Sequence, residues 1–144
     1  MNLLVDTSAW SLLLRRRQTD TRDPMVRELR GRLEAGDCVH LVGCILQELL
    51  DGVKSAQQFD LLAEYLEPFP LIAPERADYV EAARLKNLCR SKGVQAGTVD
   101  FLIAATCIRR NYPLLSADED FQHIARHCEL VLLGGGRVSD ISFG

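Results

Sequence analysis

An α/β fold is what the sequence predicts: a parallel sheet of about five short strands, covered on both faces by helices. Two observations carry that expectation. Short apolar runs alternate along the chain with segments of helical period, the pattern of strands joined through helices. One helical segment, Val99–Arg109, is apolar on nearly every side, so it needs neighbours all round it. The length, 144 residues, suits one domain over residues 1–144, and no repeat, low-complexity segment or linker divides it.

The elements follow in order. Asn2–Val5 is a brief strand that ends at Asp6-Thr7-Ser8, a polar junction able to start a helix. Helix continues through Ala9–Leu14 into Arg15-Arg16-Arg17. Pro24 then suits the first position of a second helix reaching about Leu33, because its missing N–H is not needed there. Cys38–Val42 is a second strand, Ile45–Val53 and Ala56–Leu66 are helices, and Pro68-Phe69-Pro70 breaks the pattern. After a third strand near Phe69–Ile72, Pro74 opens a long helix, Glu75–Arg90, closed by Gly93. Thr98 starts the apolar helix. Leu114-Leu115 and Leu130–Leu133 are the last strands, with a helix from about Ala117 to Arg126 between them. Gly134-Gly135-Gly136 reads as a tail loop, since no Lys-Ser/Thr follows to make a phosphate cradle.

Composition narrows the class. Hydrophobic residues make up 47% and charged residues 26%, near the globular average and unlike disordered, collagen-like or coiled-coil chains. Five cysteines with no C-x-x-C spacing and three histidines argue against a zinc site or a disulfide framework, and for reduced thiols in a cytoplasmic protein. Cys107 reads as a small core residue. The start, Met-Asn-Leu-Leu-Val-Asp, does not resemble a signal peptide, and no run approaches the ~18 apolar residues of a membrane span. A net charge of −3, from 17 Lys+Arg against 20 Asp+Glu, speaks at face value against a polyanion partner.

In an open α/β sheet, ligands bind beyond the C-terminal ends of the strands, where the strand order reverses. Four places of that kind carry acid. Asp6 follows the first strand, where capping is the plain alternative. Glu48 lies just outside the apolar arc of Ile45, Leu46, Leu49, Leu50 and Val53, at the rim of a buried face. Asp100 opens the apolar helix, where a buried carboxylate needs a cation or strong donors. Asp118-Glu119-Asp120 follows Leu114-Leu115; Ser116 with Glu119 fits a capping box, which leaves Asp118 and Asp120 available.

If the first and fourth strands lie side by side, these carboxylates converge. Two charges ~4 Å apart repel by about 4 kcal/mol at an effective dielectric of 20, so such a group must hold a cation or protons. Oxygen ligands without nearby His or Cys suit Mg²⁺ or Mn²⁺, and that arrangement suits phosphoryl chemistry.

Asp6-Thr7-Ser8-Ala9-Trp10, the Leu46–Gly52 segment around Glu48, the Thr98–Ala105 segment around Asp100, and Ser116-Ala117-Asp118-Glu119-Asp120-Phe121 together resemble the four motifs of PIN-domain nucleases, in particular VapC-type toxins of toxin–antitoxin pairs. The resemblance covers essentially the whole chain, in order. It implies a three-layer α/β/α domain and a Mg²⁺-dependent endoribonuclease acting on RNA. By that analogy Asp6, Glu48, Asp100 and Asp118 are the catalytic, metal-holding acids and Asp120 an additional ligand, with Thr7 or Ser8 positioning water or metal. The family further implies a homodimer and a cognate antitoxin protein. The alternatives are a PIN-domain RNA-processing nuclease that is not a toxin, and a Mg²⁺-binding, phosphate-handling receiver-like domain. A receiver would carry an acid pair after the first strand and a Lys near the last, and this chain has neither.

The basic residues suit the nuclease. Residues 15–32 contain Arg15, Arg16, Arg17, Arg22, Arg27, Arg30 and Arg32. Arg84, Lys86, Arg90 and Lys92 end the long helix, and Arg109 and Arg110 end the apolar one. Each is a solvated charge or a phosphate contact. Trp10 is either core or a base-stacking platform. Setting aside the five candidate acids from the 20 leaves 15 against 17 bases, so the acidic excess lies within the proposed site.

Overall fold

A computed structural model describes residues 1–16 and 22–133, except the side chains of Arg15 and Arg16. The Gly134–Gly136 loop and Arg17 lie outside the described residues. The elements run β1 (Asn2–Val5), α1 (Thr7–Arg16), α2 (Pro24–Glu34), β2 (Cys38–Val42), α3 (Gly43–Leu50), α4 (Ala56–Leu66), β3 (Leu71–Ile72), α5 (Arg76–Ser91), α6 (Thr98–Arg110), β4 (Leu114–Leu115) and α7 (Glu119–Ala125).

All strand pairs are parallel, in the order β3-β2-β1-β4. The fifth expected strand is reduced to one parallel bridge, Leu132 with Leu114, held by Leu114 N–H to Val131 O and Leu133 N–H to Leu114 O, each 2.9 Å. Leu3, Leu4 and Val5 are fully buried, as a strand covered on both faces requires. The chain moves outward from β1 to β3 and then returns to β4 on the other side of β1. That reversal puts the switch point between β1 and β4, whose last residues, Val5 and Leu115, pair.

Helix ends follow local chemistry. Asp23 caps α2, its Oδ1 accepting the Met25 N–H at 2.9 Å, with Pro24 at the first helical position. Gly93, at φ +81°, turns the chain out of α5. The apolar helix α6 buries Phe101, Ile103, Ala104, Ala105, Thr106 and Cys107. Trp10 resolves as core: it is fully buried and meets Phe69 edge-on, with centroids 5.1 Å apart.

Across the α5–α6 interface lies an ion pair absent from the sequence reading. Asp78, with no solvent exposure, sits between Arg109 and Arg110. Its Oδ1 accepts from Arg109 Nη1 at 2.6 Å and Arg110 Nη1 at 2.9 Å, and its Oδ2 from Arg110 Nη2 at 3.0 Å and the Glu75 N–H at 2.7 Å. Arg109 and Arg110, expected as solvated charges or phosphate contacts, are therefore structural cations.

Candidate active site

Each candidate acid is delivered by the end of an element. Asp6 follows β1, and its N–H donates to Leu115 O at 3.1 Å, which ties it to the end of β4. Only 5% of Asp6 is exposed. Its Oδ1 accepts the Ser8 hydroxyl at 2.7 Å and the Ala9 N–H at 3.3 Å, and its Oδ2 accepts the Ser116 hydroxyl at 2.9 Å. Capping and site chemistry thus coincide in one side chain.

Ser8 and Ser116 are also fixed as acceptors. Ala117 N–H donates to Ser8 Oγ at 2.9 Å, and Asp118 N–H to Ser116 Oγ at 3.0 Å. The two hydroxyl oxygens approach to 3.2 Å. Each hydroxyl has one proton, and both protons serve Asp6, so that approach is packing rather than a third bond. The result is a clamp across β1 and β4 that fixes the plane of the Asp6 carboxylate.

The expected capping box from Ser116 to Glu119 does not form. The helix starts at Glu119, and Asp118 is its cap, with Oδ1 accepting the Asp120 N–H at 2.9 Å. The cause lies in the clamp: the Ser116 hydroxyl is committed to Asp6 and to the Asp118 N–H.

Asp100 enters from the first turn of α6, where its Oδ2 accepts the Gly97 N–H at 3.2 Å. Glu48 projects from α3, exposed, and its Oε1 accepts the Thr7 hydroxyl at 2.7 Å. Asp6, Glu48, Asp100 and Asp118 all line one cleft of about 390 Å³, together with Thr7, Ser8, Cys44, Val99 and Ile103. Carboxylate oxygens of Asp100, Asp118 and Asp120 lie within 4.8 Å of one another. Among the described residues, no basic one lines the cleft.

The electrostatics follow. Burial pushes the Asp6 carboxyl up; the two serine hydroxyls and the Ala9 N–H oppose it, and the charge of Asp118 adds to it. Burial also raises Asp100, against the Gly97 N–H, and Asp118, Asp120 and Glu48 push it further. Acids from four separate places in the sequence therefore act on one another. A concentration of negative charge without basic neighbours is costly unless a cation enters. The donor set is all oxygen apart from the Cys44 thiol, which fits a hard divalent ion.

Sequence reasoning missed two contributors. Ser116 was assigned to a cap rather than to Asp6, and Cys44 was not placed in the cleft. A signal for Cys44 existed: it stands four residues before Glu48, hence on the same helix face.

The comparisons agree with this architecture. A chain of VapBC2 from Rickettsia felis, in complex with a DNA fragment from its promoter, superposes with a TM-score of 0.75 at 20% identity, over 92% of this chain and 98% of that one. VapBC-1 from nontypeable Haemophilus influenzae gives 0.74 at 18% identity, over 92% and 97%. VapC20 from Mycobacterium tuberculosis, a sarcin-ricin loop cleaving toxin, gives 0.60 at 18% identity, over 89% and 98%. No curated protein matches significantly by sequence. The family model described as PIN domain aligns with residues 3–127, a span that begins in β1 and holds every acid gathered at the switch point, and by that match the chain belongs to the PIN domain family.

Proposed function

We propose that this PIN domain is a Mg²⁺- or Mn²⁺-dependent endoribonuclease that hydrolyses RNA phosphodiester bonds and acts as the toxin of a toxin–antitoxin pair. The observation that carries the reading is the meeting of Asp6, Glu48, Asp100 and Asp118 in one cleft, with no basic residue lining it among the described residues and with Asp120 beside Asp100 and Asp118. Carboxylates so arranged repel one another and any phosphate, and a divalent ion reverses both effects.

Asp6, Glu48, Asp100 and Asp118 are the residues that would hold the ion, with Asp120 as a further ligand. When bound, the ion supplies charge neutralisation at the scissile phosphate and acidifies a water. The chain's own contribution is preorganisation. The Ser8–Ser116 clamp holds Asp6 in one orientation, and Gly97 does the same for Asp100 from the α6 N-terminus. Glu48, exposed and hydrogen-bonded by Thr7, stands at the open side of the cleft, where a water or RNA oxygen would approach.

The toxin role draws support from the VapBC structures of Rickettsia felis and Haemophilus influenzae, and RNA as substrate from the sarcin-ricin loop cleaving VapC20. By the same likeness the partner is a cognate antitoxin protein; a second copy of this chain and a place in the cytoplasm complete the proposed reading.

The test is RNA cleavage with Mg²⁺ or Mn²⁺, comparing wild type with Asp6→Asn and Asp100→Asn, and with EDTA. The expected result is cleavage by wild type alone and none in EDTA. Cleavage that survives the chelator or either substitution would sink the reading. For the toxin role, expression in a host without antitoxin should arrest growth, and normal growth with folded protein present would count against it.

A further inference from the structure

A second hollow, of about 200 Å³, is lined by Lys86, Arg90, Val94, Gln95, Ala96 and Phe101, and Phe101 directly follows Asp100 of the acidic cleft. The two hollows are opposite in character. Among the described residues, the cleft is lined by four carboxylates and no cation, and this hollow by two cations, one amide and no acid.

Lys86 is half-buried on α5 and donates to the Thr98 hydroxyl at 2.7 Å. Thr98 lies two residues before Asp100 on the same helical turn. Among the described residues Lys86 enters no ion pair, whereas its neighbour Arg84 is held by Glu81. An ammonium carries three donors; the hydroxyl takes one, and two remain. Arg90, at the same hollow, donates to the neutral Asn87 amide oxygen at 3.3 Å and enters no ion pair among the described residues. A partly desolvated ammonium anchored by a neutral hydroxyl keeps its full charge for an incoming anion.

We propose that Lys86, supported by Arg90, binds a backbone phosphate of single-stranded RNA next to the phosphate in the acidic cleft, and so positions the strand for cleavage. The inference rests on the nuclease reading for its substrate. A strand passing over the α6 N-terminus puts one phosphate toward Asp100 and a neighbouring one toward Lys86. The contact is with the backbone, so it positions without reading sequence.

The test is the salt dependence of binding of a 3′-fluorescein single-stranded RNA 12-mer, in Mg²⁺, with every protein carrying Asp6→Asn so that the strand persists. Each phosphate contact adds about 0.7 to the slope of log affinity against log salt for a single strand. Lys86→Gln should lower the slope by about 0.7 and weaken binding severalfold at low salt, and Lys86→Arg should restore both. Thermal melting checks that the variants remain folded. An unchanged slope in folded Lys86→Gln overturns the proposal, including where an acidic peptide loses affinity instead. Cleavage by the chain without substitutions is scored separately, so absent cleavage with a reduced slope defeats the nuclease reading while leaving the phosphate site standing.

Discussion

Replacing Asp78 by alanine removes a fully buried carboxylate and leaves Arg109 with only the longer Glu75 contact at 3.7 Å and Arg110 with the Thr106 carbonyl at 3.1 Å among the described residues. Asp78 stands in the first turn of α5, and Arg109 and Arg110 end α6, so the pair fixes how these two helices pack. Breaking a buried pair from one side costs about 3–5 kcal/mol. Arg109 and Arg110 keep 34% and 21% exposure, so water recovers part of their solvation and the lower end, about 3 kcal/mol, is expected. A domain of this size loses about 3 °C per kcal/mol, which makes the Tm fall by about 9 °C. Urea and thermal melts by circular dichroism, on Asp78→Ala, Arg110→Ala and the double variant, measure the loss and the coupling. The double variant should be more stable than additivity implies, by more than about 1 kcal/mol. A single-variant loss under about 1 kcal/mol, or a purely additive cycle, would refute the assignment. The pH dependence has a definite sign. Burial alone would raise the Asp78 carboxyl, but the hydrogen bonds from Arg110, the Glu75 N–H and Arg109 override it and hold it well below the usual carboxylate range. The unfolded chain therefore binds this proton first as acid is added, so the contribution is complete above about pH 4 and is lost as pH falls toward the folded value. Asp78→Asn should flatten that acid limb.

Asp6→Asn and Asp100→Asn should each reduce Mg²⁺-dependent RNA cleavage by at least about a hundredfold, the lower end of the range for lost electrostatic preorganisation; single-turnover cleavage measures it, and a loss under tenfold contradicts the assigned roles. Adding Mg²⁺ to the wild type at about a hundred times its Kd should stabilise it by about 2.7 kcal/mol, seen as a rise in Tm that disappears in Asp100→Asn. A rise of equal size in both proteins places the ion elsewhere. Ser116→Ala should weaken the ion by about tenfold, the lower range for losing an outer hydrogen bond to a ligand, measured by calorimetric Mn²⁺ titration, while Ser116→Thr keeps the hydroxyl and should bind as wild type.

How much of this was legible in the sequence depends on the reach of each signal. The strands could be read because their apolar runs are local, and β1 and β4 fall where such runs end at polar residues, Asp6 and Ser116. The order of acids could be read because Asp6, Glu48, Asp100 and Asp118 each follow a strand or stand on a recognisable helix. Ser116 could not, since its proton goes to a residue at the opposite end of the chain, and no capping rule contains that contact. Asp78 stayed hidden for the same reason. It stands in a charged helix whose partners are two arginines in another helix, and only the packing of α5 on α6 reveals why it is buried. The fifth strand could be read because Leu130–Leu133 is a local apolar run, and it joins the parallel sheet through the bridge of Leu132 with Leu114.

The same long-range pairing revises what the basic residues can do. Counted along the chain, 17 bases against 15 remaining acids suggest a diffuse attraction for a polyanion. In the fold, Arg32 is held by Glu28 and Asp37, Arg84 by Glu81, and Arg109 and Arg110 by Asp78. Those cations are partly neutralised where they stand, and the cleft itself repels phosphate. Among the described residues lining the cleft and the hollow, attraction for RNA comes from the ion that the acids would hold and from Lys86 and Arg90. An ion-dependent affinity is the consequence. Removing the divalent ion should weaken RNA binding far more than any single exposed arginine does, because chelation turns the strongest local attraction into a cluster of four or five repelling carboxylates. Equal RNA affinity in Mg²⁺ and in EDTA at matched ionic strength would show that the strand is held elsewhere on the surface.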